Sequence, residues 1–141
     1  MPGLYKYEKM IKYPHFRPEE TLIWNRFIEK YPDYFESVDY DVRVGTPADY
    51  SLYPKDEYRK ALEKLTLKRI DVVGYSMNKA FIIEVEPKAD IRGIGEVLAK
   101  VELFKEAYPG FREYYGMLIT DFEKPDVRRL CGKYNIIYVV V

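Results

Sequence analysis

The run RIDVVGYSMNKAFIIEVEPK, residues 69–88, decides the fold. Arg69–Ser76 and Ala80–Glu86 are rich in β-branched, aromatic and other apolar residues and have almost nothing between them. A two-residue turn at Met77-Asn78 makes them a hairpin. In that register Val73 faces Ile82 and Asp71 faces Glu84. Pro87 ends the second strand, because proline has no backbone donor for the ladder.

Downstream the hydrophobic period changes. Ile94, Val97, Leu98, Val101, Phe104 and Tyr108 form the apolar stripe of a long helix from about Ile91 to Tyr108, closed by Pro109-Gly110. A strand (Tyr115–Thr120), a helix opened by Pro125 (Lys124–Tyr134) and a last strand (Ile136–Val141) follow. Upstream, residues 46–67 read as an insertion. A loop through Tyr50 and Pro54 leads to a short helix, Lys55–Leu65, whose polar faces carry Lys55, Arg59, Lys60 and Lys64. Before it, Val38, Tyr40, Val42 and Val44 alternate with Asp39, Asp41 and Arg43 in a strand, Ser37–Val44, stopped by Gly45-Thr46-Pro47. Pro18-Glu19-Glu20 opens a first helix, with Trp24, Phe27, Ile28 and Tyr31 at helical spacing. Residues 1–17 read as an extended basic and aromatic arm containing Lys6, Lys9, Lys12 and Arg17.

The order is αβ(α)ββαβαβ, which places the chain in the α/β class. Several strands are apolar on both faces, so a central mixed sheet flanked by helices is expected. No repeat or linker interrupts the 141 residues, and residues 1–141 read as one domain.

Composition excludes several functions. Apolar residues make up 48% and charged residues 33%, which rules out a wholly disordered chain. Twenty-three basic residues balance 23 acidic ones, so a nucleic-acid partner requires a local basic patch rather than bulk charge. The single cysteine, Cys131, excludes a disulfide framework and a zinc finger, and buried free cysteine is its default reading. The single histidine, His15, leaves no second histidine to complete a site. No apolar run reaches about 18 residues, and the first ten lack a signal-peptide core, so a soluble, intracellular (cytoplasmic) protein without membrane association is expected. There is no glutamine and only three asparagines, Asn25, Asn78 and Asn135, a hyperthermophile tendency that points to a thermophilic source.

The chemistry rests on Asp71 opposite Glu84. Each lies in an otherwise apolar strand, where an unpaired carboxylate is costly and two facing carboxylates repel. Two resolutions are open. The pair sits at a strand end and reaches water or pairs with Lys68 or Lys88, or a divalent cation lies between the acids. Hard oxygen ligands suit Mg²⁺ or Mn²⁺. Glu86, two residues past Glu84, projects from the same face.

Asp71, a tight hairpin and Ile-Ile-Glu-Val-Glu-Pro-Lys at 82–88 resemble the core of the PD-(D/E)XK nuclease superfamily, which includes restriction endonucleases, Holliday junction resolvases and RecB-type nucleases. The surrounding αβββαβ order, from about residue 18 to 120, is similar to that family's core. The resemblance implies a restriction-endonuclease-like fold and a metal-dependent nuclease that hydrolyses phosphodiester bonds in DNA. It implies Asp71, Glu84 and the carbonyl of Val85 as metal ligands, and Glu20 as the first-helix acid. Glu96 and Lys100 stand where RecB-type members carry Gln-x-x-x-Tyr. The pattern departs at the lysine of Asp…Glu-x-Lys, where this chain has Glu86. Lys88 and Lys100 are the replacements available. A second reading takes Glu86-Pro87-Lys88 as the Glu-x-Lys and sets Glu86 across from Arg69. DNA would run over the insertion helix (Lys55, Arg59, Lys60, Lys64) and the arm (Lys9, Lys12). The resemblance is also compatible with a homodimer. The alternative is a catalytically inactive nuclease-fold protein that serves as a DNA-binding or assembly module.

Overall fold

A computed structural model describes residues 3–49, 57, 58, 61 and 66–141. Along the described residues run β1 (Tyr5–Lys6), α1 (Pro18–Lys30), β2 (Ser37–Val44), β3 (Lys68–Ser76), β4 (Lys79–Val85), α2 (Ile91–Ala107), β5 (Glu113–Thr120), α3 (Pro125–Lys133) and β6 (Ile136–Val140). The expected short helix falls largely outside the described residues, and all four of its basic residues do.

The six strands form one mixed sheet whose spatial order is the chain order, β1-β2-β3-β4-β5-β6. β1 to β4 pair antiparallel, whereas β4-β5 and β5-β6 are parallel and each needs a crossover helix. The β3-β4 register is the one its turn dictates: Val73 pairs with Ile82. Met77 and Asn78 have φ of 53° and 62°, the two left-handed residues of a type I′ turn.

Helices cover both faces, which is why the strands are apolar on both sides. On one face Ile23, Trp24, Phe27 and Ile28 of α1 pack on Val38, Tyr40, Val72, Ile83, Val85, Met117 and Ile119. The Trp24 indole N–H donates to the Tyr40 hydroxyl at 3.0 Å, so that core carries no orphaned donor there. On the other face α2 supplies Ile94, Val97 and Phe104, and α3 supplies Val127 and Cys131. Gly116 of β5 lets α2 approach closely; a Cβ there would strike the Val97 side chain.

Two expectations are corrected. The residues before α1 do not form a free extended arm. Tyr5 and Lys6 add a short strand to β2, and Tyr5, Tyr7, Tyr13 and Phe16 pack on the α1 core, with Tyr13 4% exposed. Their aromatic area is too large to leave in water. Second, Leu98 and Tyr108 belong to the apolar stripe of the expected helix, yet they are 37% and 47% exposed, Tyr108 lying just past the end of α2. Lys100 lies on the buried side instead, with Gly93, Ile94, Val97 and Phe104.

No helix among the described residues is long and apolar enough to cross a membrane.

Candidate functional site

The β3-β4 ladder stops at Val72–Ile83, and one step beyond stand Asp71 and Glu84. Here the strands no longer exchange backbone hydrogen bonds. The Val85 N–H donates to Asp71 Oδ2 at 2.9 Å, and the Asp71 N–H donates to Glu84 Oε2 at 3.3 Å. Each carboxylate thus accepts from a backbone donor of the facing strand.

β2 contributes a distortion at the same level. Val38, Tyr40 and Val72 belong to the α1-side core, but Val42, Val44 and Ile70 belong to the opposite one. Both strands therefore lose strict alternation between these rungs, at Asp41 and Asp71. Asp41 has φ of 54°, uncommon and strained for a side chain in a strand. Its carboxylate lies 3.0 Å from His15 Nε2, 3.3 Å from Arg43 Nε and 3.7 Å from Arg69 Nε.

Lys100 reaches this point from α2. Its ammonium is 2.9 Å from Glu84 Oε1 and 3.3 Å from Glu96 Oε2. Glu84 and Lys100 are 9% and 7% exposed, so this ion pair is largely shielded from solvent. The partner of Glu84 is thus Lys100, neither Lys68 nor Lys88.

Asp71, Glu84 and Lys100 line an open cleft of about 420 Å³. Its acids are Glu20, Asp71, Glu84, Glu86 and Glu96; its cations are Arg17, Lys68, Arg69, Arg92 and Lys100. Gly93 belongs to the wall, and a Cβ there would come 2.9 Å from Glu86 Oε2. Glu20 has a second task, accepting the Arg17 N–H at 2.8 Å at the start of α1.

The electrostatics follow from crowding acids in a poorly solvated place. Burial, more than the nearby Glu20 charge, pushes the Asp71 carboxyl up to about 6. Burial, and then the Asp71 charge, push Glu84 in the same direction, against the pull of Lys100. Glu86 is also raised, first by burial and then by Asp90 and Asp71. Lys100 is raised by Glu84 despite its own burial. Asp71, Glu84 and Glu86 therefore hold protons more tightly than free carboxylates do.

The donor set bears on a metal. Among the described residues, no group of three or more His, Cys, Asp or Glu side chains is arranged to hold an ion. The oxygens on offer are the Asp71 and Glu84 carboxylates and one backbone carbonyl, with both Glu84 oxygens already holding partners within the chain. The Val85 N–H points to β3, whereas the Glu86 N–H donates to Ile119 of β5 at 2.9 Å. A strand residue's N–H and C=O leave on the same side, so the Val85 carbonyl also faces the β3 side. Two carboxylates and a carbonyl fit Mg²⁺ or Mn²⁺, which are held by few protein oxygens with water completing the shell.

Not every expected residue comes to this place. Lys88 lies outside the cleft lining: past Pro87 it adopts φ of 48°, and its N–H donates to Asp121 Oδ1 at 2.8 Å. Lys9 is 2.8 Å from Glu29 on α1, and Lys12 borders a separate apolar groove with Ile11 and Leu22. Neither lines the cleft. Lys55, Arg59, Lys60 and Lys64 lie outside the described residues. Conversely, Arg92 was missed as a site cation, and Arg69 was read only as the residue opposite Glu86. Arg92 had a legible signal. It sits in the first turn of α2, which has no acid, where the helix dipole disfavours a cation unless something anionic is nearby.

No protein-family model matches this chain, and no curated protein or solved structure matches it.

Proposed function

We propose that this protein is a metal-dependent DNA nuclease that hydrolyses phosphodiester bonds by a PD-(D/E)XK-type mechanism, on a restriction-endonuclease-like fold. The observation that carries this reading is the meeting of Asp71, Glu84 and Lys100 in one cleft at the open end of the β3-β4 hairpin. Supporting it is the run of α1, β2, β3, β4, α2 and β5, which has the order of that superfamily's core. Two facing, largely desolvated carboxylates are expensive to retain for structure alone.

Asp71, Glu84 and the Val85 carbonyl would hold Mg²⁺ or Mn²⁺, with Glu20 reaching it through water. Bound there, the ion would supply a water of lowered pKa and offset the charge of the scissile phosphate. Lys100 fixes the position of Glu84 and brings a positive charge to where negative charge develops on the phosphoryl oxygens. It takes the role that the family's Glu-x-Lys lysine would have, since that position holds Glu86. Arg17, Lys68, Arg69 and Arg92 line the same cleft and would offset the charge of a phosphate backbone there.

A second reading, a catalytically inactive DNA-binding or assembly module, is favoured by one observation: both Glu84 oxygens already have partners within the chain. Cleavage of single- and double-stranded DNA with Mg²⁺ or Mn²⁺, beside an Asp71→Ala control, separates the two. The nuclease reading expects cleavage abolished in Asp71→Ala, and heat of Mn²⁺ binding in the parent only. No cleavage with either metal, together with no heat of Mn²⁺ binding, leaves the inactive module.

A further inference from the structure

We infer that β6 is a self-pairing edge that joins two copies of this chain into a symmetric dimer with one continuous sheet. This rests on the sheet edge alone, not on the nuclease reading.

Among the described residues β6 is the last strand of the sheet and pairs on one side only, with β5. The Val141 N–H donates to Thr120 at 2.9 Å, so the backbone groups of Val139 and Ile137 point the same way, into the sheet. Those of Ile136, Tyr138 and Val140 point outward. Among the described residues no backbone group answers Tyr138 or Val140 on that side.

Natural sheets blunt such edges with charge, proline, kinks or brevity. The opposite edge does. β1 has two residues, one of them Lys6, and the rest of β2 carries Asp39, Asp41 and Arg43 with the kink at Asp41. β6 reads Ile-Ile-Tyr-Val-Val, followed by Val141, with no charge, proline or glycine. Only Ile136 of the strand is buried; the others are partly covered. Left open, this edge is an aggregation template.

The occupant that fits is a second β6 running antiparallel. Centred on Tyr138, that pairing sets Tyr138 against its own copy and Ile136 against Val140. These are the residues whose donors and acceptors already face outward, so each pair exchanges two hydrogen bonds. Every cross-strand pair is apolar or aromatic, and nothing on the strand repels its twin. The nearest charge, Arg128 over the Tyr138 ring, is neutralised by Glu123. A two-fold axis closes the assembly and removes both open edges at once.

The test is sedimentation velocity on the full chain across a concentration series, with residue-resolved amide exchange at both ends of the series. A dimer is expected whose Tyr138 and Val140 amides exchange slowly at high concentration and quickly on dilution, while Val139 and Val141 stay slow at both. Val140→Pro removes one outward donor per copy without touching the β5 ladder, and should weaken association roughly tenfold or more. A monomer at every concentration, fast Tyr138 and Val140 amides in a dimer, or unchanged association in folded Val140→Pro each overturns the inference. Should that variant not fold, the exchange pattern of the parent protein decides.

Discussion

Replacing Asp71 by asparagine should make the metal-free protein more stable at pH 8. The amide oxygen keeps the acceptor for the Val85 N–H, 2.9 Å from the present carboxylate, and removes only the charge. The native Asp71 carboxyl is held at about 6 against 3.8 for an unperturbed one. At 1.36 kcal/mol per pH unit, this difference is about 3 kcal/mol. The folded chain keeps a proton that the unfolded chain releases, so stability from this group is complete below pH 3.8 and is lost as pH climbs to about 6. Glu84, raised in the same direction, extends the decline upward. Guanidinium unfolding with a chelator present should therefore show the parent weakening between pH 4 and pH 8 at this site. Asp71→Asn should match the parent near pH 4 and exceed it by about 3 kcal/mol at pH 8, or ~10 °C in melting temperature. A variant equal to or weaker than the parent at pH 8 would refute the argument that burial dominates at Asp71.

Lys100→Met should have the opposite profile. It keeps the volume on α2 but strips Glu84 of its counter-charge, so the variant should lose about 3 kcal/mol by denaturant unfolding above the raised Glu84 titration and much less at pH 5, where Glu84 is protonated. At the turn, Met77 is 68% exposed and pays for a left-handed backbone that asparagine tolerates better. Met77→Asn should raise stability by about 0.5–1 kcal/mol in thermal or denaturant unfolding, with no change in any cleavage activity.

Much of this architecture is legible in the residues because its signals are local. Prolines and glycines mark the ends of α1, β2, β4 and α2, and a connection of two residues leaves the β3-β4 hairpin one register. Pairing of Asp71 with Glu84 follows from that register with no knowledge of the rest. Lys100 on the buried side of α2 is also readable, as a cation spaced with Ile94, Val97 and Phe104. What escapes the sequence depends on distant partners or on backbone. β1 is two residues long and exists only because β2 offers it an edge. Loss of alternation at Asp41 comes from a left-handed backbone on a residue that does not demand one. Lys88 stays out of the cleft lining, in a turn whose N–H is accepted by Asp121, far along the chain. Arg69 joins the cleft through the separation of strands, which no period reports.

The coincidence of spatial and chain order has a consequence for biosynthesis. Every strand from β2 onward emerges from the ribosome with its upstream neighbour already made, so the sheet can grow by accretion from one side. Only the two parallel additions must wait for an intervening helix to be completed. Among these residues β6 is added last, and the growing front it presents is the border they leave when their synthesis is done.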